Sequence, residues 1–67
     1  MEEGKIKWFN SEKGYGFIEL SSGGSDVFVH ITALEDIDPH SITEGMSVLF
    51  NITDVKGRSQ AANVKKA

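Results

Sequence analysis

Aromatic side chains recur at every second position in one stretch of the sequence, where their rings could stack on other flat molecules. In residues 13–20, Tyr15 and Phe17 fall on one face of a strand, because side chains alternate across a strand. Ile18 and Leu20 fall on the opposite face. An exposed ring offers a π-face on which an unpaired nucleic-acid base can stack. The pattern therefore predicts a strand with an aliphatic face for a core and an aromatic face for a ligand.

A second strand repeats this arrangement a few residues later. In residues 26–30, Phe28 and His30 share one face and two valines share the other. The intervening segment 21–25 contains a Gly-Gly pair and has the length of a hairpin loop. Antiparallel pairing would place Phe28 and His30 beside the rings of the first strand. All four rings would then lie on the same side of the sheet.

The aromatic face could instead be a second core face, covered by the loop at residues 35–45. That loop is mainly acidic, and Asp26 and His30 share the face with the rings. A cluster of exposed rings is also unfavourable in a monomer unless something binds it. These observations favour a binding surface over a covered core.

His30 has three possible roles. It could stack and form hydrogen bonds within the aromatic row, bind a metal together with His40, or act as a general base beside Ser25 and Asp26. The spacing to His40 matches no recognised metal motif, and adjacency in sequence does not establish a catalytic geometry. We therefore expect the stacking and hydrogen-bonding role.

The two aromatic strands resemble the two ribonucleoprotein motifs of nucleic-acid-binding proteins. Residues 13–20, Lys-Gly-Tyr-Gly-Phe-Ile-Glu-Leu, follow the pattern Lys/Arg-Gly-Phe/Tyr-Gly/Ala-Phe-Val-x-Phe/Tyr as far as Phe17. Residues 27–30, Val-Phe-Val-His, are similar to the second motif. With residues 4–10, Gly-Lys-Ile-Lys-Trp-Phe-Asn, and 60–64, Gln-Ala-Ala-Asn-Val, four motifs stand in the order and spacing of the bacterial cold-shock domain. The chain resembles that family from end to end.

The whole chain, residues 1–67, is expected to form one domain. Short strand-like segments lie at residues 5–10, 13–20, 26–30, 46–53 and 60–65. Five short strands with almost no helix predict an all-β protein, a small five-stranded antiparallel Greek-key barrel of the oligonucleotide-binding type. In the fourth strand, Val48, Phe50 and Ile52 are expected to share one face. Residues 31–34 could form a single helical turn, and residues 41–44 fit a short capping-box turn.

Composition narrows the class of protein further. The 67 residues include no cysteine and no apolar run of membrane length, and the acidic start does not resemble a signal peptide, so we expect a cytoplasmic protein. The net charge is −3, and no Lys or Arg lies between residues 35 and 54. Phosphate contacts must then be few, and stacking must supply most of the affinity. No phosphate-binding loop or dinucleotide motif is present, so we expect no cofactor.

The resemblance implies both a function and a set of contact residues. It implies a non-enzymatic protein that binds single-stranded RNA and DNA as a monomer and acts as an RNA chaperone without ATP, which would help gene expression in the cold. It implies a bulge that turns Trp8 outward, and it implies that Asp26 accepts a hydrogen bond from a base edge. The expected nucleic-acid-binding residues are Lys7, Trp8, Lys13, Tyr15, Phe17, Asp26, Phe28, His30 and Arg58. No catalytic or metal site is expected.

Some features leave alternatives open. The cations could be solubilising charges only, and the same aromatic face could serve a protein-interaction β-barrel. Cold-shock proteins often carry aromatics where this chain has Ile31 and Pro39, and each missing platform would lower affinity by about 1 to 3 kcal/mol. The last turn also lacks the family's usual proline, which leaves the register of Arg58 open.

Overall fold

Five strands close into a barrel in the computed structural model, which describes residues 1–24 and 26–67. The strands are β1 Glu2–Asn10, β2 Tyr15–Leu20, β3 Val27–His30, β4 Ser47–Val55 and β5 Arg58–Lys66. Around the barrel their order is β1-β2-β3-β5-β4, and β4 pairs again with β1. The predicted five-stranded all-β barrel is confirmed. The predicted loop at residues 21–25 is described except for Ser25, which lies outside the described residues.

One junction of the barrel is parallel, because five strands cannot alternate in direction around a closed ring. The β1–β2, β2–β3, β1–β4 and β4–β5 pairs are antiparallel. β3 and β5 run in the same direction and are paired at one position, Phe28 opposite Gln60. The start of β5 is therefore brought directly beside an aromatic residue of β3.

Aliphatic side chains from all five strands fill the barrel, together with one phenylalanine. Each is at most 2% exposed. The core residues are Ile6, Ile18, Val27, Val29, Val48, Phe50, Ala61 and Val64. Since this core takes the inward face of each strand, the alternate residues of β2 and β3 must point outward.

The end of β4 and the start of β5 form a hairpin that projects beyond the barrel. Residues 51–55 are all exposed, because β1 begins at Glu2 opposite Phe50 and offers β4 no neighbour beyond that point. Ile52, expected to share a face with Val48 and Phe50, is therefore not buried as they are, and its side chain is 41% exposed. Alternation assigns a residue to a face, but the barrel interior ends before Ile52.

A two-residue turn closes this hairpin. Its central residues, Lys56 and Gly57, have φ angles of 53° and 80°. Two successive positive φ angles characterise the type I′ turn, whose twist matches that of paired strands. Arg58 is thereby the first residue of β5, opposite Val55.

A short 3-10 helix follows β3 at Ile31–Ala33 and confirms the single turn predicted there. Ala33 and Leu34, at the end of this turn, pack against the core. Among the described residues, no helix has the length and apolar character needed to cross a membrane.

A second 3-10 helix spans Pro39–Ser41, so the turn predicted at residues 41–44 was wrong in position. The Asp38 carboxylate accepts a hydrogen bond from the backbone N–H of His40 at 2.9 Å. Aspartate is a favoured N-cap, and proline is favoured at the first helical position because its missing N–H needs no partner there. These two residues start the turn earlier than the capping box predicts.

We predict that Gly16→Ala destabilises the barrel by about 1 to 3 kcal/mol, because a core this closely packed resists added volume. A Cβ at position 16 would lie 2.7 Å from Cα of Phe9 and would also collide with the carbonyl oxygen of Trp8. Urea unfolding followed by Trp8 fluorescence measures the effect. Glu19→Ala, at an exposed position of the same strand, is the control and should change stability by less than about 0.5 kcal/mol. Equal stability of the two variants would contradict the prediction.

Candidate nucleic-acid interface

A change of register between Ile6 and Trp8 turns the indole of Trp8 onto the outer surface of the barrel. Trp8 pairs with Phe17 across the β1–β2 junction and is 38% exposed. Strict alternation along β1 would bury Trp8, since Ile6 is buried two residues earlier. A bulge shifts the alternation by one residue, and the bulge expected from the resemblance is confirmed.

Five rings from β1, β2 and β3 form one continuous surface, which we call the aromatic platform. Its members are Trp8, Tyr15, Phe17, Phe28 and His30. Cross-strand pairing sets Tyr15 opposite His30 and Phe17 opposite Phe28, so register alone brings these rings together. Sequence reasoning placed these five residues on a single face, and the structure brings all five together there.

Contacts between the rings hold the platform in shape. The ring centroids of Trp8 lie 5.6 Å from Tyr15 and 5.4 Å from Phe17. Phe28 lies 5.9 Å from Tyr15 at an interplanar angle of 25°, and 5.7 Å from Phe17 at 75°. His30 is 6.5 Å from Phe28. Rings that support one another at these distances need little further ordering when a ligand binds.

The projecting hairpin gives the platform a wall. The guanidinium carbon of Arg58 lies 5.7 Å from the centroid of the Phe28 ring, within the range of a cation–π contact. Between this wall and the rings lies a groove of about 600 Å³, which we call the main groove. It is lined by Tyr15, Phe17, Asp26, Phe28, Gly57, Arg58 and Ser59. Its volume falls within the range of small-molecule sites, about 300 to 1,000 Å³.

Arg58 and Phe28 also border a smaller groove. This groove has a volume of about 280 Å³. It is lined by Phe28, Val55, Lys56, Arg58 and Gln60. The sequence reasoning did not include Gln60 or Ser59 among the site residues. Alternation along β5 puts Arg58 and Gln60 on the same face, but only the parallel pairing of β3 and β5 brings them to Phe28.

Lys7 and Asp26, both expected to contact nucleic acid, contact each other. Their side chains form an exposed ion pair at 3.0 Å, joining β1 to the residue before β3. The hydrogen bond that Lys7 donates to the Asp26 carboxylate, together with the negative charge of that group, raises the pKa of Lys7 above its usual value. Because the raised pKa belongs to the folded state, the pair adds stability at neutral pH that is lost as the pH rises through that pKa.

Lys13 lies in the turn between β1 and β2, two residues before Tyr15. The side-chain oxygen of Asn10 accepts hydrogen bonds from the backbone N–H groups of Glu12 and Lys13, each at 3.0 Å. This turn carries the exposed Lys13 next to the end of the platform. Besides Lys7, the cations near the rings include Lys13, Arg58 and Lys56, which lines the smaller groove with Phe28.

His30 ends β3 and begins the following 3-10 turn. Its Nδ1 accepts a hydrogen bond from the backbone N–H of Thr32 at 3.2 Å and lies 3.0 Å from Oγ1 of Thr32. In residues 1–24 and 26–67, no three side chains of His, Cys, Asp or Glu gather closely enough to hold a metal ion. The third reading of His30, as a general base, involves Ser25, which lies outside the described residues.

Comparison with known proteins agrees with this geometry. The family model described as the 'Cold-shock' DNA-binding domain matches residues 2–67. Cold shock protein CspB of Geobacillus stearothermophilus is 56% identical over 66 residues, covering 98% of both chains. Cold shock protein CspD of Bacillus subtilis (strain 168) is 53% identical with the same coverage. The resemblance drawn from the sequence motifs is confirmed.

More distant proteins are similar as well. Cold shock-like protein CspA of Rickettsia typhi (strain ATCC VR-144 / Wilmington) is 47% identical over 62 residues, which are 92% of this chain and 89% of the relative. The solved structure of drosophila Unr CSD456 aligns with a TM-score of 0.83 at 26% sequence identity. That alignment covers 98% of this chain and 26% of the Drosophila chain.

We predict that Asp26→Asn lowers the pKa of Lys7, because the substitution removes the negative charge and leaves only a weaker, neutral amide oxygen as the acceptor. NMR titration of the Lys7 side-chain carbon next to the ammonium group measures the change. Glu19→Gln is the control, because Glu19 is the weakest of the influences on Lys7 and should move its pKa less. An unchanged Lys7 pKa in Asp26→Asn would mean that the ion pair does not persist in solution.

Proposed function

This chain belongs to the cold-shock domain family, and we propose that it binds single-stranded RNA and DNA on its aromatic platform and acts as an RNA chaperone without ATP. The family binds nucleic acid and is not enzymatic. The proposal rests mainly on one observation: five rings lie next to one another on the outer face of β1, β2 and β3.

Stacking on a surface of this kind selects unpaired bases. In a duplex the faces of each base are covered by its neighbours, so a protein ring can reach a base only after the strand has opened. Base–aromatic stacking is sequence-tolerant, because every base has a π-face, and it is worth about 1 to 3 kcal/mol per base. The platform therefore favours open strands over paired ones.

Chaperone activity follows from the same preference by mass action. A ligand that binds only the open form of an RNA hairpin shifts the opening equilibrium toward that form, with no need for ATP. The opening is reversible, because dissociation of the protein leaves the RNA free to pair again. This mechanism requires that the concentration of free protein be comparable to or above its Kd for the open strand.

The expected affinity lies between micromolar and nanomolar. About four stacking contacts at about 1 to 3 kcal/mol each are opposed by the loss of translational freedom on association and the ordering of the strand. Neither Ile31 nor Pro39 can extend the platform, because neither has an aromatic face. The ligand is therefore expected to bind mainly on β1 to β3 and in the main groove, where Asp26 and Arg58 can contact its polar groups. A monomeric state and a cytoplasmic location stay predictions.

We predict that a short single-stranded oligopyrimidine quenches Trp8 fluorescence saturably and that a duplex of the same length does not. Phe17→Ala and Phe28→Ala should each weaken binding about 5- to 150-fold, the equivalent of about 1 to 3 kcal/mol. Titration at constant ionic strength measures both effects.

The matched control for these variants is Ile52→Ala. Ile52 is also an exposed apolar residue, but it lies on β4 rather than on the strands of the platform, so its truncation should leave affinity unchanged. A Phe17→Ala and Phe28→Ala pair that binds as tightly as the parent would refute stacking. If neither the single strand nor the duplex changes the signal of the folded parent, the protein-interaction alternative takes first place.

We predict a shallow salt dependence of binding to which Arg58 contributes. Each phosphate contacted on a single strand adds about −0.7 to the slope of log K against log salt, because contact releases counterions. Arg58→Gln should reduce the magnitude of the slope by about 0.7. Lys66→Gln is the control, because Lys66 lies at the other end of the same strand and should leave the slope unchanged. Equal slopes for the parent and Arg58→Gln would mean that Arg58 contacts no phosphate.

A further inference from the structure

The hydrogen bond between Thr32 and His30 determines which nitrogen of the imidazole carries the proton. A backbone N–H can only donate, so Nδ1 of His30 must act as the acceptor at 3.2 Å and has no proton. In a neutral imidazole the single proton then resides on Nε2. The hydroxyl of Thr32, 3.0 Å from the same Nδ1, can donate to it and so is compatible with this tautomer, which the backbone N–H selects.

This hydrogen bond also caps the 3-10 helix that follows β3. His30 is the N-cap of the 3-10 helix Ile31–Ala33, with φ −106° and ψ 152°. The first N–H groups of a helix have no partner within it, and a side-chain acceptor at the N-cap satisfies one of them. Most N-caps use an oxygen from Ser, Thr, Asp or Asn. Here a ring nitrogen takes that role, which couples the turn after β3 to the orientation of a platform ring.

The other nitrogen of the ring is left available to a ligand. Nε2 of His30 makes no hydrogen bond with the described residues, and the ring is partly exposed beside Phe28, 6.5 Å away. His30 also lies opposite Tyr15 in the β2–β3 register. A polar N–H in an otherwise apolar row of rings can orient the ligand through a hydrogen bond. Stacking alone does not fix that orientation.

We propose that Thr32 positions His30 as a fixed hydrogen-bond donor, whose Nε2–H binds an oxygen acceptor on the single strand. The acceptor is a base carbonyl oxygen or a phosphate oxygen. A base edge that presents only an amino group at this place would be disfavoured, since donor would meet donor. This inference rests on the proposed function for its ligand, but the tautomer itself is a property of the free protein.

The free protein tests the positioning by Thr32. NMR spectra of protein with ¹⁵N-labelled histidine, recorded at a pH where both histidines are neutral, distinguish the two tautomers through the couplings of ring carbon protons to each nitrogen. We expect His30 as the Nε2–H form, with a scalar coupling across the hydrogen bond from the Thr32 amide to Nδ1. His40 is the internal control, because its ring makes no hydrogen bond with the described residues, and it should show no such coupling. A proton on Nδ1 of His30, or a tautomer mixture equal to that of His40, would overturn the proposal.

Measurements of oligonucleotide affinity test whether Nε2–H of His30 is the donor. His30→Phe keeps a stacking ring and removes Nε2–H, and it should weaken binding of a thymidine hexanucleotide about 2- to 10-fold, the range of one hydrogen bond. His40→Phe is the matched control and should bind as the parent does. His30→Asn supplies an oxygen to cap Thr32 and so maintains the turn if His30→Phe unfolds. It lacks the ring, and its amide N–H₂ sits on a shorter side chain than Nε2–H, so it should bind more weakly still. A folded His30→Phe that binds like the parent would overturn the proposal.

Modified hexanucleotides distinguish the two sources of the oxygen. If the acceptor is a base carbonyl, an abasic residue at one position should abolish the difference between parent and His30→Phe. If it is a phosphate oxygen, a methylphosphonate at one linkage should abolish it instead. A difference that survives every substitution would overturn the proposal. If the parent protein binds no oligonucleotide, both the proposed function and the ligand of His30 are refuted. If the parent binds but His30 carries its proton on Nδ1, only this inference is refuted.

Discussion

Closure of five strands around one small apolar core is the constraint on which the rest of this structure depends. The core accepts one face of each strand, and eight residues at most 2% exposed fill it. Tyr15, Phe17 and Phe28 therefore have no place inside, because they alternate with Ile18, Val27 and the other inward residues of β2 and β3. The aromatic platform is a consequence of packing as well as the binding surface that we propose.

Exposed rings are unfavourable for a free protein, and the fold reduces this cost without burying them. Each ring leans on at least one other at centroid distances of 5.4 to 6.5 Å. Arg58 covers part of Phe28 while keeping its charge in solvent. A base that enters the main groove meets rings already in place, so less conformational entropy is lost on binding than on a flexible surface.

Charge has a smaller role in this site than in most nucleic-acid interfaces. The chain is acidic overall, and one of the expected phosphate contacts, Lys7, is paired with Asp26. The other cations near the rings include Lys13 in a turn, Lys56 in the lining of the smaller groove and Arg58 at the start of β5. In the function we propose, affinity therefore comes mainly from stacking, and direction from the few polar groups at the edges of the platform, including the ring nitrogen of His30.

The alternation of apolar and aromatic residues along the chain was enough to predict the strands, the two faces of β2 and β3, and four of the five platform rings. Trp8 was predicted only from the family resemblance, because strict alternation would bury it. Period-two patterns carry that information because each residue's side is local to its strand. The tertiary structure alone decided how the strands meet one another and where the barrel ends. Arg58 reaches Phe28 because an odd number of strands requires one parallel junction, Lys7 meets Asp26 across β2, and Ile52 is exposed because the barrel ends before it. These outcomes depend on where strands begin, end and close, which no local pattern specifies.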